Sequence, residues 1–232
     1  MNSKKTIEIT QRILSKNDKE AMKLREFYAQ NEIFSINLMS SPGSGKTTLL
    51  ENIAQEKLLS FCVIEGDLET NRDAERLQKY GINAYQITTG DACHLEALMV
   101  KEGLESLQNE LAKKGETLCE YLFVENVGNL VCPASYDLGA NLNIVLLSTP
   151  EGDDKVLKYP TMFLCADAVV LSKSDLIEVF DFKVAQVKED LAKLKKDIPL
   201  FLTSSKDRDS IVQFCEFLKA KKGENYVSCH TF

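Results

Sequence analysis

Phe34-Ser-Ile-Asn-Leu-Met39 runs directly into Ser40-Ser-Pro-Gly-Ser-Gly-Lys46-Thr-Thr48. The first stretch has the length and apolar character of a buried strand. The second is a glycine-rich turn closing on Gly-Lys-Thr, and a helix is expected from Lys46. Successive backbone N–H groups of such a turn, with a helix N-terminus behind them, cradle a phosphate. Gly43 and Gly45 let the backbone fold tightly round the anion, with Ser44 between them and Thr48 following. Lys46 is placed to reach the β- and γ-phosphates, and the Thr47 hydroxyl to ligate magnesium. Ser40 stands where the usual pattern has its first glycine.

Outward from this loop the chain alternates. Strands are expected at 34–39, 61–66, 84–88, 120–125, 143–148, 167–172 and 199–203, and helices at 46–57, 70–80, 95–114, 182–196 and 207–222. Near-continuous apolar strands such as Asn143-Ile-Val-Leu-Leu-Ser148 and Ala168-Val-Val-Leu171 predict burial on both faces. That means an α/β fold: a three-layer P-loop NTPase with a mostly parallel central sheet flanked by helices. Ligands of such sheets bind at the carboxyl ends of the strands. Residues 1–32 read as an N-terminal helical arm, broken near Ser15-Lys-Asn-Asp18, which either packs on its own domain or docks on a partner. Residues 33–226 form the nucleotide domain and 227–232 a frayed tail.

The length of 232 residues suits one such domain, and the net charge is −7 with no basic patch. Nucleic acid is not an expected partner. No apolar leader or membrane-length run is present, so a cytoplasmic chain with no membrane association is expected. Seven cysteines in no regular spacing predict no disulfide framework. Cys62, Cys119, Cys165 and Cys215 lie in or beside apolar segments and are expected to pack as small hydrophobes.

Ser172-Lys-Ser-Asp175 ends a strand and resembles the Asn-Lys-x-Asp element of GTPases. A carboxylate at Asp175 accepts from guanine N1–H and the exocyclic amine, whereas adenine offers it lone pairs. The stem of Lys173 would cover the base. Thr203-Ser-Ser-Lys206 resembles the loop whose amides meet guanine O6, with Ser204 and Ser205 the candidates. Loss of the asparagine, replaced by Ser172, is expected to weaken bracing of the loop.

Two acids close strands. Asp67 and Glu125 are the candidates to hold magnesium with Thr47. Glu125-Asn-Val-Gly128 resembles the Asp-x-x-Gly switch, so the Gly128 N–H is expected to sense the γ-phosphate. Asp67 and Asp73 are candidates to orient the attacking water. No glutamine follows Gly128, which predicts slow intrinsic turnover that depends on dimerisation or a partner.

Thr88-Thr-Gly-Asp-Ala-Cys93-His94-Leu95 follows another strand, and Cys132 lies just past the switch-like turn. Two thiolates and an imidazole at Cys93, His94 and Cys132 suit zinc or nickel, with water, Asp91 or a second subunit completing the shell. Cys229-His230 repeats the dipeptide in the tail. Because Cys132 lies four residues past Gly128, γ-phosphate loss is expected to move it and change metal affinity. An ATPase or kinase on the same fold, or a metal-sensing scaffold, are the competing readings. Asp175 discriminates the first and Lys46 the second.

Taken together, Ser41–Thr48, Glu65–Asp67, Thr70–Asp73, Thr89–Glu96, Glu125–Pro133, Ser148–Lys155 and Ser172–Asp175 resemble the HypB/UreG family of nickel-incorporation GTPases, over about residues 33–226. The resemblance implies a SIMIBI-class GTPase that binds GTP/GDP and Mg2+. It implies GTP-dependent homodimers and a Ni2+ or Zn2+ site at Cys93, His94 and Cys132. It also implies delivery of nickel to [NiFe]-hydrogenase, with the metallochaperone HypA and the hydrogenase large-subunit maturation complex as partners. Cys132-Pro133 is followed by Ala134 rather than the histidine of the urease branch. Residues 1–33 contain neither cysteine nor histidine, so nickel storage there is not expected.

Overall fold

The computed structural model describes the backbone of residues 2–67 and 72–229 and the side chains of 11–67 and 73–225. In chain order the elements are α1 (Asn2–Gln30), β1 (Phe34–Ser40), α2 (Lys46–Gln55), β2 (Phe61–Asp67), α3 (Arg72–Gln78), β3 (Asn83–Thr88), α4 (Ala97–Lys114), β4 (Tyr121–Glu125), β5 (Leu142–Ser148), α5 (Lys155–Lys158), α6 (Pro160–Leu164), β6 (Ala168–Ser172), α7 (Val184–Leu194), β7 (Leu200–Leu202) and α8 (Arg208–Cys229). The strands form one sheet in the order β3-β2-β4-β1-β5-β6-β7. Every pairing is parallel, so the expectation of a mostly parallel sheet sharpens to an all-parallel one among the described residues.

Alternate residues of each strand enter different cores, as the two-residue period requires. Ile36, Leu38, Val63, Phe123, Ile144 and Val170 pack under α2, α3 and α8. On the other face, Cys62, Ile64, Leu122 and Val124 meet α1 and α4. Beside them Val145, Leu147, Val169 and Leu171 meet α6 and α7. Helices therefore cover both faces, and the carboxyl edge of the sheet is left to the loops.

The arm settles on its own domain: Ala21, Leu24 and Tyr28 are buried against the α4 layer. The expected break at residues 15–18 is absent, and α1 is continuous. Asn17, a residue type that caps helices, caps a different one. Its Oδ1 accepts the Ala97 N–H at the first turn of α4 at 2.8 Å, and its Nδ2 donates to the Asp137 carbonyl at 2.8 Å. A cap supplied in space satisfies an orphan N–H as well as one supplied in sequence. Helix α8 runs to Cys229, past the expected end at 222, so the tail begins as helix rather than as frayed chain. His230 lies outside the described residues. Among the described residues no helix is long and apolar enough to cross a membrane.

Candidate nucleotide and metal site

The phosphate loop joins β1 to α2 with Gly43 and Gly45 at φ of +72° and +94°, the left-handed region where only glycine is unstrained. Lys46 is buried, and its Nζ donates to Ser40 Oγ at 3.0 Å. Ser40 in turn donates to the Ser41 carbonyl at 2.7 Å. The serine in the first loop position thus anchors the lysine. Ser44 Oγ donates to Glu151 Oε1 at 2.7 Å.

Thr47 Oγ1 donates to Glu125 Oε1 at 2.8 Å, joining the start of α2 to the end of β4. The second oxygen of Glu125 is buried without a hydrogen-bond partner, as is one oxygen of Glu65. These two glutamates face each other in register across β2 and β4. Burial pushes the Glu125 carboxyl up, opposed by the Lys46 ammonium and the Thr47 hydroxyl. Burial, then the charges of Glu125, Asp73 and Asp67, raise Glu65 to about 8. A hydroxyl beside an orphaned carboxylate oxygen fits a hard divalent cation. Asp67 closes β2, paired in register with Thr88 of β3. Asp73 accepts from Arg76 Nη1 at 2.7 Å, and the same guanidinium grips Glu51 at 2.6 Å. The candidate water-orienting carboxylate is therefore held in an ion-pair triad. Thr70 and Asn71 of that stretch lie outside the described residues.

Gly128 presses against the phosphate loop. A Cβ there would lie 2.8 Å from Pro42 Cα and 2.9 Å from its nitrogen, so no larger residue fits without moving the loop. The switch-like turn and the phosphate cradle are in backbone contact.

On the β6 side, Asp175 is committed on both oxygens: Ser204 Oγ donates to one at 2.7 Å and Lys206 Nζ to the other at 2.7 Å. Lys206, then Ser204, hold its carboxyl below the usual range. A cleft of about 140 Å³ opens between the phosphate loop and this segment, lined by Gly45, Thr48, Lys173, Asp175, Ser204 and Ser205. Lys173 spans its edge to donate to the Gly43 carbonyl at 2.8 Å. The expected loss of bracing is not observed: Ser172 Oγ donates to the Ser44 carbonyl at 2.6 Å and ties the two loops directly. The amide of Ser204 is already used, donating to Ser210 Oγ at 3.2 Å.

The Cys93 and Cys132 sulfurs lie 2.8 Å apart, and Cys93 Sγ is 3.9 Å from His94 Nδ1. One ligand atom from each of Cys93, His94 and Cys132 falls within a 4.8 Å set, all half-buried. Among the described residues this is the only such cluster of three or more, and Asp91 is not in it. Asn129 shapes the second loop: its Oδ1 accepts from Val131 N–H at 2.7 Å and Cys132 N–H at 3.4 Å. His94 stacks on Tyr136, with ring centroids 3.8 Å apart. Burial holds its imidazole below the ordinary value, against the opposing pull of Glu96. Its Nε2 is buried with no hydrogen-bond partner. A neutral imidazole beside two thiols is the protonation state a transition metal needs, once the thiols lose their protons.

A family model described as CobW/HypB/UreG, nucleotide-binding domain, matches residues 34–201. The chain belongs to the CobW/HypB/UreG family. Among its HypB relatives, the hydrogenase/urease maturation factor HypB of Helicobacter hepaticus is 60% identical over 230 residues, covering 99% of this chain and 94% of that protein. The crystal structure of HypB from Helicobacter pylori in complex with nickel superposes with a TM-score of 0.86 at 59% identity, covering 94% of this chain and 100% of the other. HypB from Archaeoglobus fulgidus gives 0.78 at 33% identity, covering 90% and 100%.

One residue links the two halves of this CobW/HypB/UreG site, and the sequence reading passed over it. Asn126, between Glu125 and the Gly128 turn, is fully buried. Its Oδ1 accepts the N–H of Leu95 at 3.1 Å and of Val127 at 3.0 Å. Its Nδ2 donates to Asn37 at 3.3 Å, and Asn37 donates to Asn143 at 2.9 Å. A ladder of asparagines thus joins β5, β1 and the β4 loop to the residue following His94. The available signal was an asparagine in each of two otherwise apolar strands, since buried polar groups are found paired.

Proposed function

We propose that this chain hydrolyses GTP and uses the hydrolysis to pass on nickel during maturation of [NiFe]-hydrogenase. The observation that carries the reading is the Cys93–His94–Cys132 set on the loops after β3 and β4, joined through Asn126 and Glu125 to Thr47. A sulfur-rich set with one imidazole matches the softness of Ni2+ or Zn2+ rather than of Mg2+.

In this reading the backbone amides of Gly43 to Thr48 cradle the phosphates. Lys46 exchanges its bond to Ser40 for the β- and γ-phosphate oxygens. Thr47, Glu125 and Asp67 would hold Mg2+, which would supply positive charge to offset that of the phosphates. The orphaned Glu125 oxygen supports that assignment. Asp67, or Asp73 when released from Arg76, orients the attacking water. Asp175 takes guanine N1–H and the amine, with Lys173 over the base. Since the Ser204 amide is committed, Ser205 supplies the N–H for O6. Loss of the γ-phosphate frees Gly128 from its contact and shifts Cys132, so metal affinity differs between the GTP and GDP states. Turnover is slow until a second copy meets the chain on GTP, and HypA and the hydrogenase large-subunit complex are the partners of the cycle. Helicobacter relatives at about this similarity carry hydrogenase and urease together in their names, which favours nickel supply to both enzymes.

The test is nickel titration in the GDP and non-hydrolysable GTP states, run beside size exclusion and a GTPase assay. Expected are a nucleotide-dependent nickel affinity, a dimer on GTP, and intrinsic turnover well under about ten per second. Equal affinity in both states with a constant monomer would overturn the reading.

A further inference from the structure

A second thiol pair sits at the opposite end of the sheet. Cys62 is the second residue of β2, five positions before Asp67, roughly 16 Å from the nucleotide edge at strand spacing. Cys119 lies in the loop between α4 and β4. Their sulfurs are 2.8 Å apart, and the Cys119 N–H points at Cys62 Sγ at 3.4 Å. Both pack as small hydrophobes, as expected, against the core shared by α1 and α4, but they differ in exposure: Cys62 is at 0%, while Cys119 is half-buried.

We propose that Cys119 and Cys62 form a reversible oxidation site, Cys119 reacting with hydrogen peroxide and Cys62 resolving it to a disulfide. Three observations beyond proximity support the assignment. The pair is asymmetric in exposure, so the oxidant meets one sulfur and the other waits behind it. Among the described residues no histidine, carboxylate or third cysteine joins them in a metal-sized cluster, unlike Cys93 and Cys132. The Cys62 thiol, and then the Ser60 hydroxyl, donate to Cys119 and hold it below the ordinary thiol value, while the same contact pushes Cys62 up. Cys119 is thus the more readily ionised of the two, and the thiolate is the form that attacks.

The chemistry balances. The Cys119 thiolate attacks one peroxide oxygen, the O–O bond breaks, and hydroxide leaves and is protonated to water. Cys62 sulfur then attacks the Cys119 sulfenic acid, the S–S bond forms, and the S–O bond breaks. The departing hydroxide takes the Cys62 proton as a second water. The two thiols lose two electrons and peroxide gains them. A bonded pair needs the sulfurs to close to about 2.0 Å, under an ångström from where they stand.

The experiment is peptide mapping of the full chain after brief hydrogen peroxide treatment, with and without dithiothreitol. Expected is a Cys62–Cys119 cross-linked peptide, two hydrogens lighter and lost on reduction. Before oxidation, Cys119 should alkylate at neutral pH about tenfold faster than Cys165, which is similarly half-buried but pushed up by burial. In Cys62→Ser, dimedone should trap Cys119 as sulfenic acid; in Cys119→Ser, Cys62 should stay reduced. Both thiols remaining alkylatable while Cys93 and Cys132 oxidise would overturn the proposal. So would Cys62 oxidising at the wild-type rate in Cys119→Ser. The wild-type map stands even where a variant fails to fold.

Discussion

The two halves of the nucleotide face differ in how their polar groups are committed. On the β6–β7 side both oxygens of Asp175, the hydroxyls of Ser172, Ser204 and Ser210, and the Lys173 ammonium all have partners. On the β2–β4 side buried polar atoms have no hydrogen bond: one oxygen each of Glu65 and Glu125, and His94 Nε2, whose nearest charge is Glu96 at 3.8 Å. Leaving such a group unpaired costs about 1–3 kcal/mol, and more when it is charged. The difference teaches which half is preformed and which is built to receive cations. On the proposed reading a base would enter the cleft beside Asp175, and magnesium and a transition metal would complete the other half.

The sharpest way to break this division is to empty the phosphate side. Lys46→Ala should weaken GTP by about a hundredfold or more, as loss of one partner of a buried charge contact does. Calorimetric titration checks it, with a thermal melt to confirm folding. Next, Cys132→Ala should lower nickel affinity by about a hundredfold yet leave GDP affinity within a factor of two. A parallel fall in GDP binding, read by fluorescent-nucleotide competition, would mean that the halves are not separable. Asp175→Asn should do the reverse, relaxing preference for GTP over other triphosphates by about ten- to a hundredfold with nickel binding unchanged.

Smaller effects probe the seam. Asn126→Ala removes the acceptor of two buried N–H groups and should cost about 1–3 kcal/mol in urea unfolding. It should also shrink the difference in nickel affinity between nucleotide states. Asn126→Asp, which keeps the acceptor, should retain more of that difference.

The smallest effect is a pH slope. Glu65 holds its proton up to about 8 when folded, against 4.5 when unfolded. Between those values the folded state binds the extra proton, so the contribution of this group falls as pH rises and levels off above about 8. In nucleotide-free protein with chelator, Glu65→Gln should flatten the decline of melting temperature between about pH 5 and about pH 8. An unchanged slope would show that Glu65 does not carry a buried proton.

Much of this site was readable along the chain, because each piece is local. The phosphate loop is a run of nine residues whose glycines, lysine and threonine act within one turn of backbone. The strands declared themselves by near-continuous apolar runs, and the segment proposed to read the base and the switch-like turn follow them directly. Where reading failed, a polar residue served a distant element. Ser15-Lys-Asn-Asp18 looks like a helix break because Asn and Asp compete for nearby backbone, but Asn17 caps α4 from 80 positions away. Ser172 looked like a weakened asparagine, but it braces a loop 128 positions distant.

Residue chemistry was determined by the sequence alone: a triphosphate cradle, a carboxylate suited to guanine, two soft sulfurs and an imidazole. Proximity was decided only by the tertiary structure. Cys93 and Cys132 meet because the sheet order places β2 between β3 and β4 and turns both following loops over one edge. By the same order, Cys62 and Cys119 meet at the other edge, 57 positions apart in the chain. Hydrophobic period and turn chemistry act over a few residues, whereas strand order is settled by how the whole core packs, so no local pattern announces which distant side chains will touch.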